Sequence, residues 1–293
     1  MKYPDCSLKV IIDPDNKIID IRQSAIQNFL DCRRSFYWGY LIGKEIDYPD
    51  GPRPWTTADT GTAVHEGLGA YYTGKQWKRA VTKWAKSQWP DGPPEDNQLD
   101  LVNIMVAGHL EDLAEDGKDI GEEVLAVEEA VVAVVEHVAG WTVRVHCRLD
   151  RRIETADGIK IIDDTKTVGP LSSTLDYIQQ LGRYAVLVRA ATGWRADRVR
   201  STQIRKVKRT KDGPFYARPW IALNEDAYAS HAQNLRDQLI DIVTVIENDG
   251  PWYEHVTGEC SWKCRVSDIC KAQQQGDDPE MIVEIHFRDK QER

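Results

Sequence analysis

Apolar and polar residues alternate without a break from Trp141 to Asp150, and a second strand-like run follows from Gly158 to Lys166. A period of two is the mark of a β-strand with one buried face. It places Val143, Val145, Cys147 and Leu149 on one side and Arg144, His146, Arg148 and Asp150 on the other. In the second run it sets Asp164 and Lys166 on one side and Asp163 on the opposite one. Ala156-Asp157-Gly158 supplies the turn chemistry of a hairpin, so the two strands are expected to pair.

That pairing brings Asp150, Asp164 and Lys166 toward one end of a sheet. Two carboxylates form a hard oxygen site suited to Mg²⁺ or Mn²⁺, and a neighbouring ammonium polarises water or stabilises developing negative charge. The combination suits hydrolysis of a phosphodiester, whose backbone carries its own negative charge to the metal. An isolated D-x-K is more often a solvated surface pair, because charged residues on strands usually face water. The surrounding sequence decides between the two.

Four elements occur in order: Gly61-x-x-x-His65, Leu149-Asp150, Ile161-Ile162-Asp163-Asp164-Thr165-Lys166-Thr167 and Gln180-x-x-x-Tyr184. Together they resemble the PD-(D/E)XK nuclease superfamily, and within it the RecB-like branch of CRISPR-associated RecB-like exonucleases and many phage exonucleases. Leu149 stands where the proline of the motif's name falls. The resemblance covers residues 22–271 and implies an α/β, restriction-endonuclease-like core with a mixed central sheet flanked by helices. It also implies that Asp150 and Asp164 are acidic metal ligands, Lys166 the catalytic lysine, the Thr165 carbonyl a further ligand and His65 a helix histidine added to the metal site. Gln180 and Tyr184 match a motif that positions the nucleic-acid strand, although Tyr184 also falls on an apolar helical stripe and reads equally as core. Asp59–Tyr72 reads as a helix with Gly61 and His65 one turn apart on one face. A glycine there lets another backbone come close. Glu66 is rotated about 100° from His65 and is a weaker candidate.

Cysteine placement is the second constraint. Cys260, Cys264 and Cys270 form a C-x3-C-x5-C array, and Cys32 stands far upstream. The pattern is similar to that of iron–sulfur members of the same branch, where one N-terminal and three C-terminal cysteines hold a [4Fe–4S] cluster. The resemblance assigns Cys32, Cys260, Cys264 and Cys270 to such a cluster, whose thiolate bonds would offset the entropy of closing a long loop. The x3 spacing departs from the more usual x2. Zinc is the alternative, since thiolates accept either metal. Disulfides do not suit a chain without a signal-peptide pattern. Cys147 reads as a small core residue, and Cys6 has no assigned role.

The chain has 293 residues, 41% of them hydrophobic, and a formal net charge of −9. One nuclease domain is expected over 1–293, with a helical part at 22–120, a catalytic sheet core at 121–222 and a C-terminal helix and cysteine segment at 223–293. No apolar run reaches transmembrane length, and the expected location is the cytoplasm (the host's, for a phage gene product). The negative balance argues against indiscriminate coating of nucleic acid, so DNA contacts must be local. Arg195, Arg198, Arg200, Arg205, Lys206, Lys208, Arg209 and Lys211 form a basic stretch. The whole stretch is the candidate phosphate footprint, with Arg205, Lys206, Lys208 and Arg209 its foremost contacts; an ordinary solvated face is the other reading.

The remaining pattern predicts a helix from a Ser24–Gln27 capping box to Ile42. Helices are expected near 60–73, 75–88, 97–116 and 174–192, and strands from Glu122 to Lys166 and near 197–208 and 215–221. An Asn224-capped helix should run to Asn248, and Met281–Phe287 reads as a final strand. Gly69–Gln76 nearly matches a phosphate loop, but Gln76 lacks the magnesium-binding hydroxyl and the segment follows a helix. The expected function is a Mg²⁺- or Mn²⁺-dependent DNA nuclease, foremost an exonuclease on ends or single strands, served where needed by a recombination or helicase partner. A structure-selective or spacer-processing endonuclease, and a catalytically dormant iron–sulfur DNA-binding subunit, are the alternative readings.

Overall fold

The structure, a computed structural model, describes residues 9–47, 53–92, 96–117, 119–173, 178–208, 214–261 and 264–290. Cys6, Arg209 and Lys211 lie outside the described residues. Strands β1 (Ile11–Asp13) and β2 (Ile18–Arg22) pair antiparallel. Helix α1 (Gln23–Asp31) follows at once, then the chain breaks at Cys32 before α2 (Arg33–Phe36) and a π-turn, Tyr37–Leu41. The expected unbroken helix with a Ser24 cap is therefore corrected. Arg22 holds the cap position without a side-chain bond, because β2 runs straight into the helix. At the break, Arg34 N–H turns to the Tyr253 carbonyl at 3.1 Å.

Strand β3 (Lys44–Ile46) and helices α3 (Thr57–Tyr72), α4 (Trp77–Gln88) and α5 (Asp96–Asp116) come next. A capping box opens α3: Thr56 N–H donates to Asp59 Oδ2 at 2.8 Å and Asp59 N–H to Thr56 Oγ1 at 3.4 Å. Then follow β4 (Glu122–Val138), β5 (Trp141–Thr155), β6 (Lys160–Val168), α6 (Ile178–Thr192) and β7 (Arg198–Arg205). The strand expected at 215–221 divides into β8 (Tyr216–Ala217) and β9 (Trp220–Ala222), with Pro219, which has no N–H to donate, between them. Helix α7 (Glu225–Glu247) is capped by Asn224, whose Oδ1 accepts from Ala227 N–H at 2.8 Å. Helices α8 (Ser267–Gln275) and α9 (Pro279–His286) and strand β10 (Phe287–Asp289) close the order. The expected strand at Met281–Phe287 is thus mostly helix. Asp278 caps it by accepting from Glu280 N–H at 2.9 Å, and Pro279 occupies its first turn, signals that outweigh the β-branched run.

The chain forms two compact units, each assembled from separate stretches. One comprises Pro52–Ala130 and Arg148–Ala229. Its sheet is mixed: the second half of β5 runs antiparallel to β6, β6 parallel to β7, and β7 antiparallel to β8 and β9. Helices α3 and α6 pack on β6, and α5 on β7. Ala63, Val64 and Leu68 of α3 meet Val81 of α4, Val102, Met105 and Val106 of α5 and Ile204 of β7 in one apolar cluster. Burial of each such large side chain contributes about 1.5–3 kcal/mol. Gly67 permits the close approach, since a Cβ there would lie 3.1 Å from Val81. A mixed sheet flanked by helices is the α/β, restriction-endonuclease-like core expected from the sequence.

The other unit comprises Met1–Gly51, Val131–Cys147 and Ser230–Arg293. Within it β2 pairs parallel with the first half of β5, from Ile18↔Thr142 to Arg22↔His146. Buried Asp20 accepts from Arg144 and lies 2.8 Å from His146 Nε2. Val266, Ile269, Val283 and Phe287 form a small core with Trp38, Ile46 and Cys264 packed against it. Strands β4 and β5 contribute to both units. Among the described residues no helix is long and apolar enough to cross a membrane.

Candidate metal-dependent active site

The alternation along β5 holds, with Leu149, Arg151 and Ile153 buried and Asp150 facing the opposite way. The β5–β6 hairpin turns at Gly158, whose φ of +80° lies in the left-handed region that glycine tolerates. It sets Asp150 beside β6, where Thr165 N–H donates to Asp150 Oδ2 at 2.6 Å. On β6, Asp164 and Lys166 share a face, with Lys166 Nζ 2.8 Å from Asp164 Oδ2.

Helix α3 delivers the histidine. At Gly61 a Cβ would stand 3.3 Å from Thr167 Oγ1, so glycine lets this part of α3 lie against β6. One turn on, His65 Nδ1 lies 3.3 Å from Asp150 Oδ1 and 3.8 Å from Glu128 Oε1. The structure therefore brings together His65, Asp150, Asp164 and Lys166, while Glu66 stays exposed.

Glu128 was missed in the sequence. It sits in β4 with φ +51°, a local distortion that interrupts the strand's alternation. Its carboxylate also receives Arg148 Nε at 2.7 Å, and Gly69 leaves it room, since a Cβ there would be 3.4 Å from Glu128 Cγ. The available signal was the Glu128-Glu129 pair inside an otherwise apolar run. Ligand atoms of His65, Glu128 and Asp150 all lie within 4.8 Å of one another, the only such group among the described residues. They line a void of about 10 Å³ together with Thr165, about the size of one water.

Three carboxylates, Glu128, Asp150 and Asp164, face His65, Lys166 and Arg148 here. Burial would lower the His65 pKa, but Asp150, Glu128 and Asp164 outweigh it and raise it to about 10. Burial would raise Asp150, yet His65, Lys166 and the Thr165 N–H hold it below the usual carboxylate range. Burial, reinforced by Asp150 and opposed by Lys166, pushes Asp164 up to about 6. For Lys166 burial is overcome by Asp164, Tyr184 and Asp150, which raise it above the ordinary lysine value. Such a constellation of carboxylates around one imidazole and one ammonium can accept a divalent cation.

On α6, Gln180 Nε2 donates to Tyr184 Oη at 2.9 Å. Tyr184 is buried, and burial together with Asp164 raises its pKa. The basic stretch is largely committed elsewhere, which corrects its reading as one phosphate footprint. Arg195 engages Asp197 at 3.1 Å and Glu225 at 2.9 Å, Arg198 lies 4.2 Å over the Trp220 ring, and Arg200 is buried against Asp163 and Glu122. Arg205 and Lys206 are half-buried and Lys208 is exposed.

The four cysteines expected at a cluster fall in the unit that contains β1 and α8. His255 N–H donates to Cys32 Sγ at 3.4 Å and Thr257 N–H to Cys260 Sγ at 3.4 Å. Burial raises the Cys264 pKa, with Cys260 and Cys32 adding to it. Burial pushes Cys270 up to about 11, with Arg34 opposing and Cys264 adding. All five described cysteines are free thiols.

The sequence profile of the PD-(D/E)XK nuclease superfamily matches residues 22–271, and the chain belongs to that superfamily. It is accordingly a nuclease, a phosphodiester hydrolase of a group that uses divalent metals. Among solved structures, a "Putative exonuclease" from Eubacterium rectale is similar at 14% identity and TM-score 0.48, covering 78% of this chain and 82% of that one. The structure of SSO0001 is similar at 18% identity and TM-score 0.33, covering 77% of this chain and 89% of that one. No curated protein matches the chain.

Proposed function

We propose that the chain is a divalent-metal-dependent DNA exonuclease of the cytoplasm, working on ends or single strands, with a structural [4Fe–4S] cluster. The observation that carries the catalytic half is the His65–Glu128–Asp150 group at a water-sized void, beside Asp164 and Lys166. His65, Glu128, Asp150 and Asp164, with the Thr165 carbonyl, would hold Mg²⁺ or Mn²⁺. The metal supplies polarisation of a phosphoryl oxygen and a more acidic bound water.

The chain's own groups do the rest. Lys166, held protonated by Asp164, donates to the developing charge on the phosphate and does not act as the base. A water oxygen bonds to phosphorus as the bridging P–O bond breaks; the water gives up one proton to solvent and the departing alkoxide takes one from solvent, leaving a phosphate monoester and a free hydroxyl. Gln180 and Tyr184 position the strand from α6, and Arg205, Lys206, Lys208 and Arg209 contribute phosphate contacts.

For the cluster, Cys32, Cys260, Cys264 and Cys270 are the ligands. Main-chain N–H donors on Cys32 and Cys260 sulfurs suit thiolate ligands. Free thiols and such a cluster belong together in a reducing compartment.

The test is end-labelled single- and double-stranded DNA with Mn²⁺, run beside circular single-stranded DNA. Progressive shortening of linear substrate with the circle intact is expected; cutting of the circle makes the enzyme an endonuclease. Unchanged turnover in Lys166→Ala would overturn the catalytic assignment. Colourless protein from both aerobic and anaerobic preparations, or zinc in place of iron by elemental analysis, would overturn the cluster, and brown colour that survives Cys264→Ser would remove Cys264 from its ligands.

A further inference from the structure

We infer that the groove along α3 and α4 is the track by which a single DNA strand reaches the metal site, an inference that rests on the nuclease reading above. The groove, of about 840 Å³, begins at His65 and Glu128 and continues to Lys75, Arg79, Lys83 and Trp84. Lys75 lies just before α4, and Arg79 and Lys83 stand four residues apart on one face of it, about 6 Å along the helix axis. All three are exposed and none pairs with a carboxylate among the described residues. Arg148, also exposed, lines the wall and pairs with Glu128 at the metal end.

Three considerations favour this occupant. The chain carries a net charge of −9, and several arginines elsewhere are matched to carboxylates, as Arg200 is to Glu122 and Asp163 and Arg33 to Asp241. Cations left unmatched in one row attract a polyanion. Trp84 is half-buried in the groove, braced edge-on by Trp55 and Trp89. A basic row beside an aromatic is how single strands are held, backbone on the charges and bases on the ring. A duplex would present a second phosphate row, for which the groove's lining offers only Arg148, already paired with Glu128. The α4 stripe, not the end of β7, thus becomes the principal phosphate contact.

The experiment measures equilibrium binding of a labelled single-stranded oligonucleotide and its duplex to the full chain, with Ca²⁺ present, across a salt series. Lys75→Glu/Arg79→Glu/Lys83→Glu should weaken single-strand binding at least about tenfold, and flatten the salt slope by about 2 for three lost contacts. Lys75→Gln/Arg79→Gln/Lys83→Gln should give a smaller loss in the same direction and guards against misfolding of the reversed-charge protein. An Arg205→Gln/Lys206→Gln/Lys208→Gln protein should lose less than the α4 glutamine variant. Unchanged affinity and slope in both α4 variants, a loss confined to duplex, or a larger loss in the β7 variant would overturn the inference. The catalytic reading is judged separately by Lys166→Ala turnover, so failure of one does not imitate failure of the other.

Discussion

Asp163 and Asp164 are the same residue at adjacent positions of β6, and they live in opposite worlds. Asp163 is fully buried and accepts from Arg151 at 2.8 Å, Arg200 at 2.7 Å and Thr202 at 2.8 Å, with Arg218 3.7 Å away. Burial works against its charge, but Arg151, Arg200 and Arg218 hold its pKa far below the usual carboxylate range. Glu122 and Asp119 complete the match of acids to arginines on that face. Asp164 faces the other way, with one lysine for company and a second carboxylate nearby, and its pKa is raised. A buried carboxylate saturated with donors is structural; one left under-compensated has capacity for a cation. The lesson is that charge balance, more than the motif letters, separates the working aspartate from its neighbour.

The contrast can be broken at several points. Asp163→Asn removes the carboxylate shared by Arg151, Arg200 and Arg218, leaving buried Arg151 without an ion pair among the described residues, and should cost about 3–5 kcal/mol, read by urea unfolding. Asp164→Asn and Lys166→Ala should cost less stability than Asp163→Asn yet lower DNA hydrolysis by about 100- to 1000-fold at saturating Mn²⁺. If Asp163→Asn were instead the inactive and stable one, the two roles would have to be exchanged. Glu128→Gln should weaken Mn²⁺ binding by about 10- to 100-fold, measured by calorimetry. The gentlest probe is acid. Because the folded pKa of Asp163 is depressed, its contribution is complete above the unfolded value of about 3.9 and drains away as pH falls toward the folded value. Wild type should therefore lose stability more steeply than Asp163→Asn below about pH 4.

Much of the site was legible because period two is unforgiving: a strand that buries Leu149 must present Asp150 on its other face. The same rule sorted Asp163 from Asp164, and helical spacing put His65 a turn beyond Gly61. It could not disclose what lay across from each face. Arg151 occupies an apolar position of β5 and is buried there, 4.2 Å over the Tyr72 ring, a pairing visible only in three dimensions. Glu128 was hidden by its distorted backbone, since alternation fails where φ turns positive. The segment 281–287 misled because Ile282, Val283 and Ile285 favour strands locally, while the deciding cap lay upstream at Asp278. The break at Cys32 depended on Tyr253, far along the chain.

The scattered origin of each unit has a consequence for how this chain is made. The sheet that holds Asp150 and Asp164 needs nothing beyond Ala229, whereas the unit with the four cysteines draws on Met1–Gly51 and on Ser230–Arg293. At about 5–20 residues per second on the ribosome, the opening stretch waits roughly ten to forty seconds for its closing one. Through that interval Cys32 has no cysteine from the C-terminal array to meet. Any group shared by these four thiols, as proposed above, could be completed only after Cys270 has left the ribosome.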